Sequence, residues 1–346
     1  MGRGLLAALL LSTALGARAQ STATLRGIDV YRSAALTPAG AQRRFGARLH
    51  EYVLLRNRRT PGSAAQAESL RRGMEKEAEA LPGVAWAELH VSEYFTSVDH
   101  AMYAVFDVVD RSDAGRLAFA PAPKSAPRDP GGLLAAWRRY VAAGETVSRR
   151  GEMSVERPAC PGFYCLWGGT PELDAAQTVF VAGAARRSAE LRRVLRGASD
   201  GDARAAALFV LSYSTSGADV VALCRAALAD PDSNVRGAAL QILADVANHH
   251  PELAIALDRV LPRLDDPAFS VRGKAMGLLV PLAARDAYRP AMILSAPRLV
   301  ALLRLAQPES RDLAFTLLGI LSKKSYGRED AASWDAWAVQ AASGKP

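Results

Sequence analysis

The sequence has few of the residues from which metal and redox centres are built. Its 346 residues include 3 cysteines and 5 histidines. It lacks the HExxH pair of zinc peptidases and the GxGxxG and GxxxxGK[ST] loops that hold nucleotide phosphates. We find no serine or threonine placed to pair with a histidine and an orienting acid. We therefore expect no metal, no cofactor and no enzymatic activity.

Long hydrophobic runs are also absent. One apolar run, Leu5–Leu15, is shorter than the roughly 20 residues that a membrane-spanning helix needs. It follows Arg3 and precedes the small-residue motif Ala17–Ala19, and these are the three parts of a secretory signal peptide. We expect residues 1–19 to be cleaved after Ala19 and the mature chain to be exported, to a periplasmic or extracellular location. An uncleaved membrane anchor is the alternative.

Acidic residues are outnumbered by basic ones. The chain has 43 Lys and Arg against 35 Asp and Glu, a formal net charge of +8. The excess is spread along the chain in pairs such as Arg43-Arg44, Arg71-Arg72 and Arg186-Arg187, as on solvated helix faces. A nucleic-acid site would need basic residues on one face, and an exported protein rarely meets that partner. We expect no nucleic-acid binding, and peripheral contact with anionic lipid remains an alternative.

Two of the cysteines are close enough in sequence to form a disulfide. Cys160 and Cys165 lie at the two ends of a turn that contains Pro161-Gly162. Such a turn can bring the two Cα atoms within bridging range, and paired thiols tend to oxidise outside the cytosol. We predict a structural Cys160–Cys165 disulfide that holds a turn. Cys224 lies in an apolar helical pattern and should be a buried free thiol.

Residues 20–112 have the pattern of a small α+β domain. A short strand at Leu25–Val30 is followed by two amphipathic helices, the first opened by Pro38. Two strands rich in aromatic and β-branched residues follow, at about Val84–Phe95 and His100–Val109. The predicted order is β-α-α-β-β.

This order, the length and a hinge glycine at Gly27 resemble the polypeptide-transport-associated (POTRA) domain. The resemblance implies that an extended peptide or partner domain binds by adding a strand to the edge of the sheet. The chain departs from the usual setting of that family, because no barrel or membrane helix follows the domain. Another small α+β sandwich is the alternative.

Residues 113–132 read as a linker and residues 133–340 as an all-α region. The segment Ala120–Gly132 has four prolines and no large apolar residue, which predicts an extended, solvated chain. An amphipathic helix at Leu133–Val141 should cap the helical region, and helical periodicity is nearly continuous from Leu173.

An eleven-residue stretch that begins at Asp230 returns thirty-six residues later, at Asp266. A fixed period of this length indicates a solenoid of stacked helical units. The aspartates should cap helices, the valines and alanines should be buried, and the arginines can reach a turn carboxylate or carbonyl of the adjacent unit. The signature residues are Asp230, Val235, Arg236, Ala239, Asp266, Val271, Arg272 and Ala275.

The pattern Asp-x(4)-Val-Arg-x-x-Ala resembles the second helix of HEAT repeats. Degenerate copies flank it: Asp202–Leu208 keeps the arginine, and Pro308–Phe315 keeps the alanine but loses Val-Arg. Trp334 and Trp337 near the C-terminus are similar to the Trp-x-x-Trp ending of bacterial HEAT-like proteins. The resemblance implies that these rings close the exposed end of the stack.

The sequence therefore predicts a multi-domain protein, an α+β domain followed by a HEAT-like α-solenoid. Its expected function is an exported, non-enzymatic scaffold that uses a concave solenoid surface and a sheet edge to bind a protein partner in the cell envelope. The alternative is an envelope-polymer hydrolase with an acid–base site on the α+β domain. Such a site would be drawn from His90, His100, Glu88, Glu93 and Asp99.

Overall fold

The computed structural model describes residues 22–95, 99–152, 159–214 and 216–343. The predicted signal peptide, residues 1–19, lies outside these ranges. Within them the chain forms a three-stranded sheet with two helices, followed by a long helical region. The predicted combination of a small α+β domain and an α-solenoid is confirmed.

The N-terminal domain has the predicted β-α-α-β-β order. Its elements are β1 (Thr24–Tyr31), α1 (Pro38–Arg58), α2 (Pro61–Glu79), β2 (Val84–Phe95) and β3 (His100–Asp110). The strand β3 is central, parallel to β1 and antiparallel to β2. Each helix begins where a threonine caps it and a proline follows, at Thr37 for α1 and Thr60 for α2.

The sheet is covered on both of its faces. Side chains alternate between the faces of a strand, so Ala104, Phe106 and Val108 of β3 pack against α1 and α2. The residues between them, Val105 and Asp107, face the other way and are also fully buried. Because both faces are buried, the sheet is a middle layer between its own helices and the helical region.

The helical region contains four units, each pairing an outer segment with an inner helix. The inner helices α5, α7, α8 and α11 form a row in which each packs on the next. The outer segments are the part of α4 after its bend at Arg187, then α6, the short 3-10 helix Leu261–Asp265, and α10. We call these units repeats 1 to 4. The helices are α3 (Leu133–Arg149), α4 (Pro171–Gly197), α5 (Gly201–Leu211), α6 (Gly217–Ala227), α7 (Ser233–His249), α8 (Phe269–Ala283), α9 (Arg289–Ile293), α10 (Ala296–Leu303), α11 (Pro308–Ser322) and α12 (Ala331–Ala342).

The proline-rich segment runs along the turns of the repeats. After a 3-10 helix at Arg111–Leu117, the Ala120 amide donates to the Ala229 carbonyl at 2.8 Å. Farther along, the Ser125 amide donates to the Gly197 carbonyl, and the Ser199 amide donates to the Ser125 carbonyl. We call residues 118–129 the strap. The strap connects the α+β domain to α3 and contacts first the turn of repeat 2 and then the turn of repeat 1.

The described helices include none with the length and apolarity to cross a bilayer.

Candidate functional site

Four arginines occupy the same position on the four inner helices. Each is the fourth residue after the residue that caps the helix: Asp200, Asp232, Ala268 and Gln307. We call these arginines the arginine ladder; they are Arg204, Arg236, Arg272 and Arg311. The copy at Pro308–Phe315 therefore keeps the arginine, which corrects the prediction that it loses Val-Arg. Of the Val-Arg pair, only the valine is replaced, by Ser310.

The first two arginines of the ladder bind the aspartate of the next repeat. Arg204 donates from Nε and Nη2 to both carboxylate oxygens of Asp230, at 2.8 and 2.6 Å. Arg236 binds Asp266 in the same two-pronged way, at 2.8 and 2.7 Å. Each arginine also donates from Nη1 to two carbonyl oxygens of its own turn. Each such pair joins one repeat to the next, which confirms the prediction for Arg236. The same prediction for Arg272 is wrong, because its carboxylate partner lies outside the repeats.

Asp230 and Asp266 do not cap the inner helices, contrary to prediction. The helix caps are two residues later, at Asp232 and Ala268. Asp230 and Asp266 instead accept from the amides of those cap residues, at 2.8 and 3.0 Å, while binding the arginine of the preceding repeat. Each aspartate therefore has two roles: it holds the turn of its own repeat and it pairs with its neighbour's arginine.

The aspartate is missing from the fourth repeat, where Leu305 occupies the matching position two residues before the cap Gln307. Arg272 of the third repeat consequently has no aspartate ahead of it in the stack. Asp107, from β3 of the α+β domain, supplies the carboxylate, and both side chains are fully buried. Its second oxygen accepts from the Phe269 amide at 2.8 Å, at the start of α8 where Ala268 offers no side-chain cap.

The other role of the missing aspartate is filled by Asp29 of β1. Its carboxylate oxygens accept from the amides of Ala306 and Gln307, each at 2.9 Å. The two roles of one repeat aspartate are thus divided between two carboxylates on the neighbouring strands β1 and β3. Burial raises the pKa of Asp29 and of Asp107, and the hydrogen bonds that each accepts act against this rise.

Other contacts fix the same interface. The Tyr31 hydroxyl donates to the Leu264 carbonyl at 3.1 Å, and the Arg272 guanidinium lies 4.1 Å from the centre of its ring. Arg116 donates to the Asp265 carbonyl at 2.9 Å. Burial raises the pKa of Tyr31 to about 12. The α+β domain is therefore docked on the turns of repeats 3 and 4 by buried polar contacts.

The remaining signature residues lie in the solenoid core. Val235, Val271, Ala239 and Ala275 are each completely buried, at 0% exposure. They belong to one apolar cluster that runs through all four repeats. The alanines leave room for the close packing of α7 on α8, since a larger side chain at a fully buried site would force the helices apart.

Cys160 and Cys165 form a disulfide, and Cys224 is buried with a free thiol. The turn closed by the disulfide packs against repeat 1. The Phe163 amide donates to the Ser212 carbonyl at 2.8 Å. The Tyr164 ring stacks on Phe209 of α5, with the ring centres 5.2 Å apart.

Trp334 and Trp337 lie on α12, which packs against α10. Trp334 is buried and its Nε1 donates to the Gly327 carbonyl at 3.0 Å. Its ring meets those of Phe315, Tyr326 and Trp337 edge-on. The two tryptophans therefore belong to an aromatic cluster beside repeat 4.

The two histidines of the alternative acid–base site do not come together. His90 pairs in register with Val105 and stacks on Phe269, on the face of the sheet toward the solenoid. His100 pairs in register with Phe95, five positions along the hairpin, and its Nε2 lies 3.2 Å from Glu93. The two imidazoles are therefore apart, because His90 and His100 lie five positions apart along the hairpin and on opposite faces of the sheet. Across the described residues, no group of three His, Cys, Asp or Glu could hold a metal ion.

One pentapeptide, Gly197–Gly201, has the GxSxG spacing of a nucleophile elbow, which the sequence interpretation missed. In hydrolases that motif turns from a strand into a helix. Here it is the turn between α4 and α5, and its serine amide binds the strap. Its carbonyl accepts from Arg204 at 3.2 Å. The pentapeptide is therefore a repeat turn, outside the structural setting of that catalytic motif.

The edge of β2 is partly closed by α2. At Leu89 the outward amide donates to Glu75 Oε2, and the outward carbonyl accepts from Arg71 Nη1, each at 3.0 Å. Arg71 and Glu75 also pair with each other. An incoming strand cannot use these two backbone groups unless the side chains move, a common protection of edge strands.

The inner helices of repeats 2 to 4 leave one stripe uncovered. Gln241, Gly277 and Thr316 each stand five residues after a ladder arginine and are at least partly exposed. At Gly277 and Gly319 an added Cβ would meet nothing within 4 Å. In repeat 1 the matching residue, Phe209, is covered by Trp137 and Tyr164. We call this stripe the open helix face; it consists of Gln241, Ala244, Gly277, Val280, Thr316 and Gly319.

A protein-family model described as HEAT repeats matches residues 188–280. Residues 188–280 are HEAT repeats. The match begins just after the bend of α4 at Arg187 and ends inside α8, so it covers repeats 1 to 3. The helical region thus contains HEAT repeats, which suggest a protein-binding scaffold. The search of curated proteins and the search of solved structures found no match.

Proposed function

We propose that the chain is an exported, non-enzymatic scaffold that binds a protein partner in the cell envelope. The observation that carries this proposal is the open helix face, a stripe of partly exposed residues at matching positions on the inner helices of repeats 2 to 4. Its two glycines allow close approach of a partner backbone. The docked α+β domain adds a sheet whose edges lie beside the repeats. A partner strand would pair with β2 at positions other than Leu89, because side chains of α2 already bond the Leu89 amide and carbonyl.

The hydrolase alternative has less support. It required histidines and carboxylates within hydrogen-bond reach of one another, and His90 and His100 lie on opposite faces of the sheet. The buried aspartates Asp29 and Asp107 are engaged in holding the repeats, so they are not available for proton transfer to a substrate.

The scaffold proposal is tested by crosslinking capture from the native envelope. Gly277→Arg and Gly319→Arg place a bulky side chain on the open helix face, in positions where a Cβ meets no atom within 4 Å. Gly73→Arg is the matched control, because Gly73 is equally open but lies on α2. We expect the wild-type protein and the control to capture the same polypeptide and both face variants to lose it. Equal capture by all four proteins would refute the open helix face as the binding surface.

Export is tested separately by cell fractionation and by the mass of the mature chain. We expect the protein outside the cytoplasm, with Gln20 as its first residue. A cytoplasmic protein that retains Arg3 and Arg18 would contradict this part of the proposal.

A further inference from the structure

A cleft lies where the sheet, the strap and the repeat turns meet. Its volume is about 570 Å³, within the range of ~300–1,000 Å³ usual for ligand sites. One wall is formed by β2 and α2, another by the start of the strap, and the third by the turns of repeats 2 and 3. The lining residues used below are Glu75, Trp86, Glu88, Leu117, Phe119, Asp232 and Arg236.

Glu88 brings an uncompensated charge to this cleft. Its carboxylate is half-buried and makes no hydrogen bond or ion pair with any described residue. Burial, followed by the negative charges of Asp107 and Glu75, raises the pKa of Glu88, while Arg71 and Arg272 act in the opposite direction. Burying a carboxylate without a partner costs free energy, because the charge loses contact with water. A cation that enters the cleft would offset this loss.

The other charged residues of the lining already have hydrogen-bond partners. Arg236 gives its Nε and Nη2 to Asp266 and its Nη1 to two carbonyl oxygens. Glu75 accepts from Arg71 and from the Leu89 amide, and Asp232 accepts from the Asn234 amide. The net charge of the described lining residues is therefore negative, and Glu88 is the carboxylate among them that has no hydrogen-bond partner.

The walls beside Glu88 are aromatic and apolar. Trp86 is two positions before Glu88 on β2, so both side chains point to the same face of the strand. The Phe119 ring already contacts two guanidinium groups, those of Arg236 and Arg263, at 3.9 and 5.3 Å from its centre. An aromatic wall beside a carboxylate suits a cation carried on an alkyl chain, because the ring contacts both the charge and the methylenes.

We propose that this cleft binds a lysine or arginine side chain of the partner protein, with its charged end at Glu88 and its alkyl chain against Trp86 and Leu117. The proposal rests on the proposed scaffold function and names the chemistry of the partner. The occupant is a protein segment because the cleft lies along β2, three consecutive residues of which, Trp86, Ala87 and Glu88, line it. An extended chain can pass there and insert one side chain.

Binding is measured with the full mature protein and labelled acetyl-Ala-Ala-Xaa-Ala-Ala-amide peptides, by fluorescence anisotropy. Xaa is arginine, lysine, citrulline or glutamate, and citrulline has the shape of arginine without its charge. We expect the arginine and lysine peptides to bind at least about tenfold more tightly than the citrulline peptide, and the glutamate peptide not to bind. Equal affinity for arginine and citrulline, or no binding of any peptide, would overturn the proposal.

Glu88→Gln tests the assigned carboxylate. It should lower the affinity for the arginine peptide by about tenfold or more. The melting temperature should stay the same or rise, because an unpaired buried charge is removed. Glu145→Gln, on the exposed side of α3, is the matched control and should change neither quantity. Unchanged peptide affinity in Glu88→Gln contradicts the proposal. Trp86→Leu should also lower the affinity for the arginine peptide. An unaltered affinity would show that Trp86 is not part of the binding site.

Envelope capture separates this inference from the scaffold function. If the wild-type protein captures a partner and Glu88→Gln captures it equally, the cleft inference is wrong and the scaffold stands. If Gly277→Arg and Gly319→Arg leave capture intact while Glu88→Gln abolishes it, the cleft is the binding site and the open helix face is not.

Discussion

Asp107 of β3 and Arg272 of α8 form a fully buried ion pair between residues 165 positions apart in the sequence. The arginine belongs to a repeating series, and the aspartate comes from outside it. The α+β domain thus occupies a position in the stack that a fourth repeat aspartate would otherwise fill. This relationship makes the sheet a part of the solenoid rather than an independent domain tethered beside it.

Replacing Asp107 by asparagine should strongly destabilise the protein. The substitution leaves the Arg272 charge buried without a counter-charge, which typically costs about 3–5 kcal/mol. Chemical denaturation of wild-type and variant protein measures the loss of unfolding free energy. Asp258→Asn breaks the exposed pair with Arg225 and should give no measurable change. A loss no larger than in that control would show that the buried pair does not hold the domains together.

Replacing Asp29 by alanine should destabilise the start of α11. The two amides of Ala306 and Gln307 lose their acceptor in a buried setting, at a cost of about 1–3 kcal/mol. Hydrogen exchange should show faster exchange at these amides and in the first turn of α11, with less effect on α7. Unchanged exchange at Gln307 would contradict the assigned role of Asp29.

The free energy of unfolding should fall as the solution is acidified through the range in which His90 titrates. Burial and the positive charges of Arg272 and Arg71 lower its pKa from 6.5 to about 4. Between these values the unfolded state binds the proton and the folded state does not, so stability falls as the pH drops. From about pH 7 to about pH 5 this contribution is about 2 kcal/mol.

His90→Gln lacks that contribution. We expect the variant to lose about 2 kcal/mol less than the wild-type protein over the same pH range. Parallel loss in the two proteins would show that His90 keeps an ordinary pKa. Denaturation curves at several pH values supply the comparison.

Reduction of the Cys160–Cys165 disulfide should lower stability modestly and leave the protein folded. The bridge closes a loop with a sequence separation of 5, for which chain entropy predicts about 2 kcal/mol. The turn keeps its contacts with repeat 1 through Phe163 and Tyr164. Denaturation with and without reductant measures the difference, and the double Cys→Ala variant should not respond to reductant. Unfolding on reduction would show that the turn holds more of the fold than we infer.

The repeat turns were predictable because their residues recur at a fixed spacing. Asp230 and Asp266 stand 36 positions apart, each with an arginine six residues on, so the arginine-to-turn contacts follow from one repeat stacked on the next. The position of the helix cap could not be predicted, because aspartate is a good cap at either Asp230 or Asp232. Only the backbone geometry shows which of the two caps the helix.

The docking of the α+β domain could not be predicted from local patterns. Asp29 and Asp107 lie in ordinary strands, and nothing near them in sequence identifies a distant partner. One signal was present: Leu305 replaces the aspartate expected before the last inner helix, which leaves Arg272 without the carboxylate of a following repeat. A buried arginine without its repeat partner implies a carboxylate from elsewhere, but many acidic residues could have supplied it.

Native-state hydrogen exchange of β3 and α8 tests most directly whether the sheet is built into the solenoid. If Asp107 and Arg272 join them into one cooperative unit, the slowest amides of both elements share one opening free energy, and Asp107→Asn lowers both together. A variant in which β3 exchanges faster while α8 keeps its wild-type protection would contradict this account.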